Sequence, residues 1–173
     1  MKSYAGIGSR ETPKEICDLM TQIATLLQDN YTLRSGGADG ADKAFEAGVT
    51  NNNKEIYLPW KAFNGSNSKA NWVGTEAKLL ASKYHPYYKS LSYGAQQLIS
   101  RNSYQLFGYP LEGGFYTYKS EFIICWTKDG KASGGTGQAI RIAESFNIPV
   151  YNLHNPIYRN LEFYKNIIHN VEN

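Results

Sequence analysis

Three times in this chain, a short run of strand-forming residues ends in a loop of small residues that leads straight into a helical pattern. The loops are Gly6-Ile7-Gly8-Ser9-Arg10, Ser35-Gly36-Gly37-Ala38-Asp39-Gly40 and Ser133-Gly134-Gly135-Thr136-Gly137. A strand that feeds a helix returns to the same sheet as a parallel neighbour, through a right-handed crossover. Repetition of that unit predicts an α/β fold, a Rossmann-like parallel sheet with helices on both faces.

The remaining pattern fills in the elements. Residues 3–7, 31–34, 55–58, 121–126 and 148–153 read as strands, and Glu-Phe-Ile-Ile-Cys-Trp at 121–126 is the continuous apolar run of a buried parallel strand. Thr12, Pro13 and Glu15 read as an N-cap, a first helical residue and a capping-box acid. Ile16, Leu19, Met20, Ile23, Leu26 and Leu27 then follow at helical spacing. In the short helix after the second strand, Ala44, Phe45 and Ala47 are available for the inner face. Residues 61–114 form a helical and loop insertion after the third strand, with helices expected over 75–83 and 91–106. A last helix presents Leu161, Tyr164, Ile167 and Ile168 on one side. At 173 residues the chain, 1–173, reads as one domain.

Composition excludes several classes. The formal charge is +3, and no element gathers the Lys and Arg residues, so a nucleic-acid partner is not expected. Cys17 and Cys125 form neither a CxxC pair nor a disulfide framework. His85, His154 and His169 are scattered, so no metal site is expected. No apolar run approaches the 18 residues of a membrane span, and the expected compartment is the cytoplasm. Glu11 stands where GxGxxG needs its last glycine, and no GxxxxGK[ST] is present. No cofactor is therefore called for.

What the loops do suggest is anion binding. A helix start offers free N–H groups and partial positive charge, and glycine lets a phosphate approach them. In parallel sheets the ligand crevice lies at the carboxyl ends of the strands. Gly8, Ser9 and Arg10 are expected to meet an anionic group, unless Arg10 pairs with Glu11 or Glu15. Ser35, Gly36, Gly37, Ala38, Asp39 and Gly40 are expected to hold ribose or phosphate, with Asp39 and Asp42 taking hydroxyls or Asp42 capping its helix. Gly134, Gly135, Thr136, Gly137 and Gln138 are expected to cradle a phosphate. Arg101 and Asn102 are expected to fold over the site from the insertion, and Thr127 to line it. Trp60 and Trp126 each end a strand, and each either stacks on a base or packs in the core.

The GSR at 8–10, SGGADGAD at 35–42 and GGTGQAIRIA at 134–143 together resemble the SLOG superfamily. That group includes the cytokinin-activating LOG enzymes, the DNA-processing protein A family and nucleotide-sensing domains of bacterial defence effectors. The likeness is closest to small phage-encoded members that carry Arg101-Asn102-Ser103-Tyr104 and a strand ending Trp126-Thr127. LOG enzymes read PGGxGTxxE in the last loop, and that Glu takes part in hydrolysing an N-glycosidic bond. Here Ser133 replaces the Pro, Gln138 replaces the Thr, and Arg141 stands at the Glu. A cation cannot do a carboxylate's acid/base work. The resemblance therefore implies a phosphate-bearing, nucleotide-derived ligand bound without turnover, such as an ADP-ribose-like or cyclic nucleotide immune signal sequestered by a phage anti-defence protein. Its other members imply a nucleoside-monophosphate N-glycosidase, with Glu144, Glu121 or Asp39 as carboxylate, or a DNA-recombination accessory protein. The family also implies a homo-oligomer, a dimer or tetramer.

Overall fold

The computed structural model describes residues 1–111 and 118–172. Five parallel strands form one sheet in the order β3-β2-β1-β4-β5: β1 (Lys2–Gly6), β2 (Tyr31–Ser35), β3 (Lys54–Ile56), β4 (Ile123–Cys125) and β5 (Val150–Asn152). The chain lays down β1, β2 and β3 outward in one direction. It then returns to place β4 on the free side of β1, with Ala5 beside Ile123 and Gly6 beside Ile124. The order therefore reverses between β1 and β4, and a crevice opens there at the carboxyl ends.

Side chains alternate across the pleat and divide the core in two. Tyr4, Leu33, Ile124 and Trp126 point to one face. Over them lie α1 (Lys14–Leu27), α2 (Ala41–Gly48) and α6 (Leu161–Glu172), through Met20, Ile23, Phe45 and Tyr164 among others. Ala5, Ile123 and Cys125 point to the other face, under α3 (Thr75–Tyr84), α4 (Tyr93–Phe107) and α5 (Gly134–Ser145). The helices and strands thus follow the expected α/β pattern, with ends displaced by a few residues. The strands at 121–126 and 148–153 shrink to three residues each.

The 61–114 segment, whose last three residues lie outside the described ones, supplies α3 and α4 to the second face. Every residue of α4 from Ile99 to Phe107 is buried, polar ones included. It survives that burial because its polar groups have specific partners. Ser100 meets the Tyr88 hydroxyl at 2.7 Å, Ser103 donates to the Ala77 carbonyl at 3.2 Å, and the Tyr104 hydroxyl accepts the Gly74 N–H at 2.8 Å.

Two local expectations need correction. Thr12 does not cap α1: its hydroxyl donates to the Ser9 carbonyl at 2.6 Å, and Pro13 occupies the cap position. Ala47 is exposed, and α2 turns Ala41, Asp42, Phe45 and Gly48 inward instead. No helix among the described residues is long and apolar enough to cross a membrane.

Candidate functional site

A cleft of about 470 Å³ opens where the strand order reverses, within the range of small-molecule sites. The loop after β1 contributes Ile7, Gly8, Ser9, Arg10 and Glu11. The α2 start contributes Ala38 and Asp42, α4 contributes Leu98, Ile99, Arg101, Asn102 and Gln105, and the loop after β4 contributes Thr127, Lys128, Ser133, Gly134, Gly135 and Thr136.

The structure thus gathers Gly8, Ser9, Arg10, Ala38, Asp42, Arg101, Asn102, Thr127, Gly134, Gly135 and Thr136 of the expected residues. The others lie elsewhere. Ser35 is buried and its hydroxyl donates to the Gly6 carbonyl at 2.6 Å, tying β2 to β1. Gly36 lies behind the wall and accepts a hydrogen bond from Arg101 Nη1. Gly37 turns toward Leu58, Gly40 packs against the Ser9 and Arg10 backbone, and Gly137 packs against Ala132. Asp39 is exposed and accepts from Asn64 Nδ2 at 3.0 Å. Gln138 is fully buried, where its Nε2 donates to the Ala81 carbonyl at 2.9 Å and joins α5 to α3.

Neither tryptophan lines the cleft. Trp126 shares the parity of Phe122 and Ile124, so its indole enters the core beneath α1, α2 and α6. Trp60 is half-exposed and meets the Phe63 ring edge-on at 5.2 Å. Among the described residues the cleft's apolar lining is aliphatic, from Ile7, Ala38, Leu98 and Ile99.

The loop amides are not equivalent. Asp42, in the first turn of α2, accepts the Ala38 N–H at 3.2 Å and also meets the Gly8 N–H. The Ser9 N–H goes to the Trp126 carbonyl at 3.3 Å, and the Ala41 N–H to the Ser9 carbonyl at 3.4 Å. The first two loops therefore wrap the chain's own carboxylate. The third is different. Ser133 makes no side-chain cap on α5, so the first amides of that helix remain open. Gly134 has φ +63, and a Cβ on it or on Gly135 would meet nothing within 4 Å. Asn102 Nδ2 fixes this helix start from α4 by donating to the Gly135 carbonyl at 3.1 Å. Asn152 holds Thr127, donating to its hydroxyl at 2.7 Å.

Charge surrounds the opening. Arg10 pairs with neither Glu11 nor Glu15, and no described residue forms an ion pair with Lys128. Burial pushes the Asp42 carboxyl up to about 6, against the opposing pull of Arg101 and the two amides. Burial also lowers the Arg101 guanidinium from its ordinary value, while Asp42 acts to raise it. Arg101 Nε and Gln105 Oε1 have no hydrogen-bond partner among the described residues.

Arg141 does not line the cleft. It donates to the Tyr84 and Ala132 carbonyls at 3.3 Å each and to Gln138 Oε1 at 3.0 Å. Glu144 is exposed outside the cleft. Glu11, Gln105 and Lys128 line the cleft without having been singled out in the sequence. Gln105 lies one turn beyond Arg101, a spacing that could have pointed to it.

Fold and cleft define a parallel α/β domain with a small-molecule-sized site at its switch point. No family model matches the chain, and neither any curated protein nor any solved structure matches it.

Proposed function

We propose that the cleft binds a phosphate-bearing, nucleotide-derived small molecule and holds it without turnover. The observation that carries this is the uncapped α5 start, where open space lies over Gly134 and Gly135. Arg10 and Lys128 line the same cleft. An N-terminus of this kind attracts anions through its free amides and its dipole. Sequestration of an ADP-ribose-like or cyclic nucleotide signal by a SLOG-type, phage-encoded homo-oligomer is the biological form of this reading. It rests on the sequence resemblance in the three loops.

A second reading, N-glycosidic hydrolysis, is favoured by Asp42, a cleft carboxyl that burial pushes up to about 6. A group titrating there can serve as acid or base near neutrality. One experiment separates the two. The protein is incubated with a panel of nucleotides and ADP-ribose derivatives, then heat-denatured, and the released small molecules are identified by mass spectrometry. Intact ligand recovered in proportion to protein supports sequestration. Free base and sugar phosphate support hydrolysis, and the absence of both retained nucleotide and cleavage products overturns both.

A further inference from the structure

We infer that the outer side of α3 and the turns beside it dock on an anionic lipid surface, with lysines among the headgroups and Trp72, Leu79 and Tyr93 seated where headgroups meet acyl chains. None of these three residues lines the cleft, and the inference does not depend on what the cleft binds.

Charge and exposure coincide there. Residues 60–93 carry five lysines, Lys61, Lys69, Lys78, Lys83 and Lys89, against one acid, Glu76, for a net +4. The whole chain is +3, so the remainder is net −1. The lysines are spread over α3 and the loops on either side of it, which is why no single element is basic. None of them forms an ion pair with a described residue. Among the described residues, five of the ten exposed large apolar side chains also fall in this segment: Trp60, Trp72, Leu79, Tyr87 and Tyr93. Apolar side chains exposed singly need no explanation, but a group of them marks a contact surface.

Packing joins these residues. α3 turns Ala77, Leu80 and Ala81 inward, and Ser103 and Gln138 hold it by donating to the Ala77 and Ala81 carbonyls. Leu79, 65% exposed, is left on the outer side, with Lys83 one turn further on. The Lys78 ammonium lies over the Tyr93 ring, 5.6 Å from its centre, and Tyr93 is 71% exposed. Gly94 follows, and a Cβ on it would come 3.9 Å from the Trp60 indole. Trp72, 72% exposed, lies just ahead of the first turn of α3.

The side chains select the partner. Protein interfaces favour Arg and deplete Lys, and residues 60–93 contain no Arg. A second copy docking by the same face would set like charge against like. A nucleic-acid strand stacks its bases on free ring faces, but Lys78 covers one face of Tyr93 and Leu79 has no ring to offer. Lysines beside Trp, Tyr and an aliphatic side chain suit an anionic lipid surface, which takes ammonium groups at its headgroups and amphipathic rings at the same depth.

The test is co-sedimentation of the unaltered protein with vesicles of phosphatidylcholine alone and of phosphatidylcholine and phosphatidylglycerol in equal parts, at low salt. Binding should appear only with the anionic vesicles. Each lysine near such a surface is worth about fivefold in affinity, so the double variant Lys83→Glu, Lys89→Glu should bind at least about tenfold more weakly. Leu79→Ser and Trp72→Ser alter exposed residues and should leave the thermal midpoint unchanged, yet each should weaken binding by about fivefold or more. Equal binding to both vesicles, or none to either, overturns the inference. Loss with the lysine variant but not with Leu79→Ser or Trp72→Ser is attraction to any polyanion, and also overturns it. An oligothymidylate that binds more tightly than the vesicles, with the same losses in the variants, assigns the face to nucleic acid instead. A dimer by light scattering that Leu79→Ser dissociates, without vesicle binding, assigns it to a second copy.

Discussion

Asp42 is 3% exposed, yet it is the anion around which two of the three glycine-rich loops close. Burial pushes its carboxyl up from the ordinary 3.8 to about 6, so the unfolded chain releases this proton at lower pH than the folded one. The contribution of Asp42 to stability is therefore full below about pH 4 and is lost as pH rises through about 6. A shift of this size corresponds to on the order of 2–3 kcal/mol. Urea denaturation of the protein and of Asp42→Asn between pH 4 and 7 should show that slope in the parent and its loss in the variant. Parallel curves would mean that the carboxyl titrates as it does in water. The glycine loops were legible because small residues between a strand and a helix are a local signal. Their amide partners were not, since the contacts from Gly8 and Ala38 to Asp42 depend on how two loops meet in space. Trp126 is the opposite case. The alternation Phe122, Ile124, Trp126 already placed its indole on the core face, and the parity of the strand outweighs its position at the strand end.

Two helices bear on the site, and each makes its own prediction. The open start of α5 has space above Gly135, so Gly135→Glu should fold with a stability change within about 1 kcal/mol. The added carboxylate would occupy the anion position, so affinity for a phosphate-bearing ligand should fall at least tenfold by calorimetry. Retained affinity would remove α5 from the site. Farther along the same helix, Arg141 ties α5 to α3 and to the loop before it through three acceptors. Arg141→Glu would set a carboxylate among carbonyls. It should lower the thermal midpoint and produce no free base from a nucleoside monophosphate. A gain of hydrolysis would show that the side chain reaches the cleft. The other helix, α4, was legible as a helix but not as a central one. Arg101 and Asn102 were expected over the site, but the burial of the whole polar run Arg101-Asn102-Ser103-Tyr104-Gln105 depends on partners distant in sequence, from Gly36 to Gly135.

At the scale of the molecule, the cleft joins two halves of one sheet. The loop after β1 and the start of α2 belong to the half carrying β1, β2 and β3, whereas Lys128 and the α5 start follow β4. The halves meet along β1 and β4 in a register of two residue pairs, Ala5 with Ile123 and Gly6 with Ile124, and α4 packs across β1 and β2 beside them. A ligand confined to one loop would stabilise that loop alone. A ligand that rests its phosphate on α5 and its remainder against Asp42 must hold both halves, because separating them would break its contacts on one side. Bound ligand at a hundred times its dissociation constant adds about 2.7 kcal/mol to the stability of any species that keeps the site intact. Hydrogen exchange with a saturating nucleotide ligand should therefore slow amides both at residues 134–136 and at residues 8–10, on opposite sides of the β1–β4 seam. Protection restricted to 134–136 would leave an anion site on one helix and no cleft-spanning ligand. Protection restricted to 8–10 would move the anion away from α5 altogether.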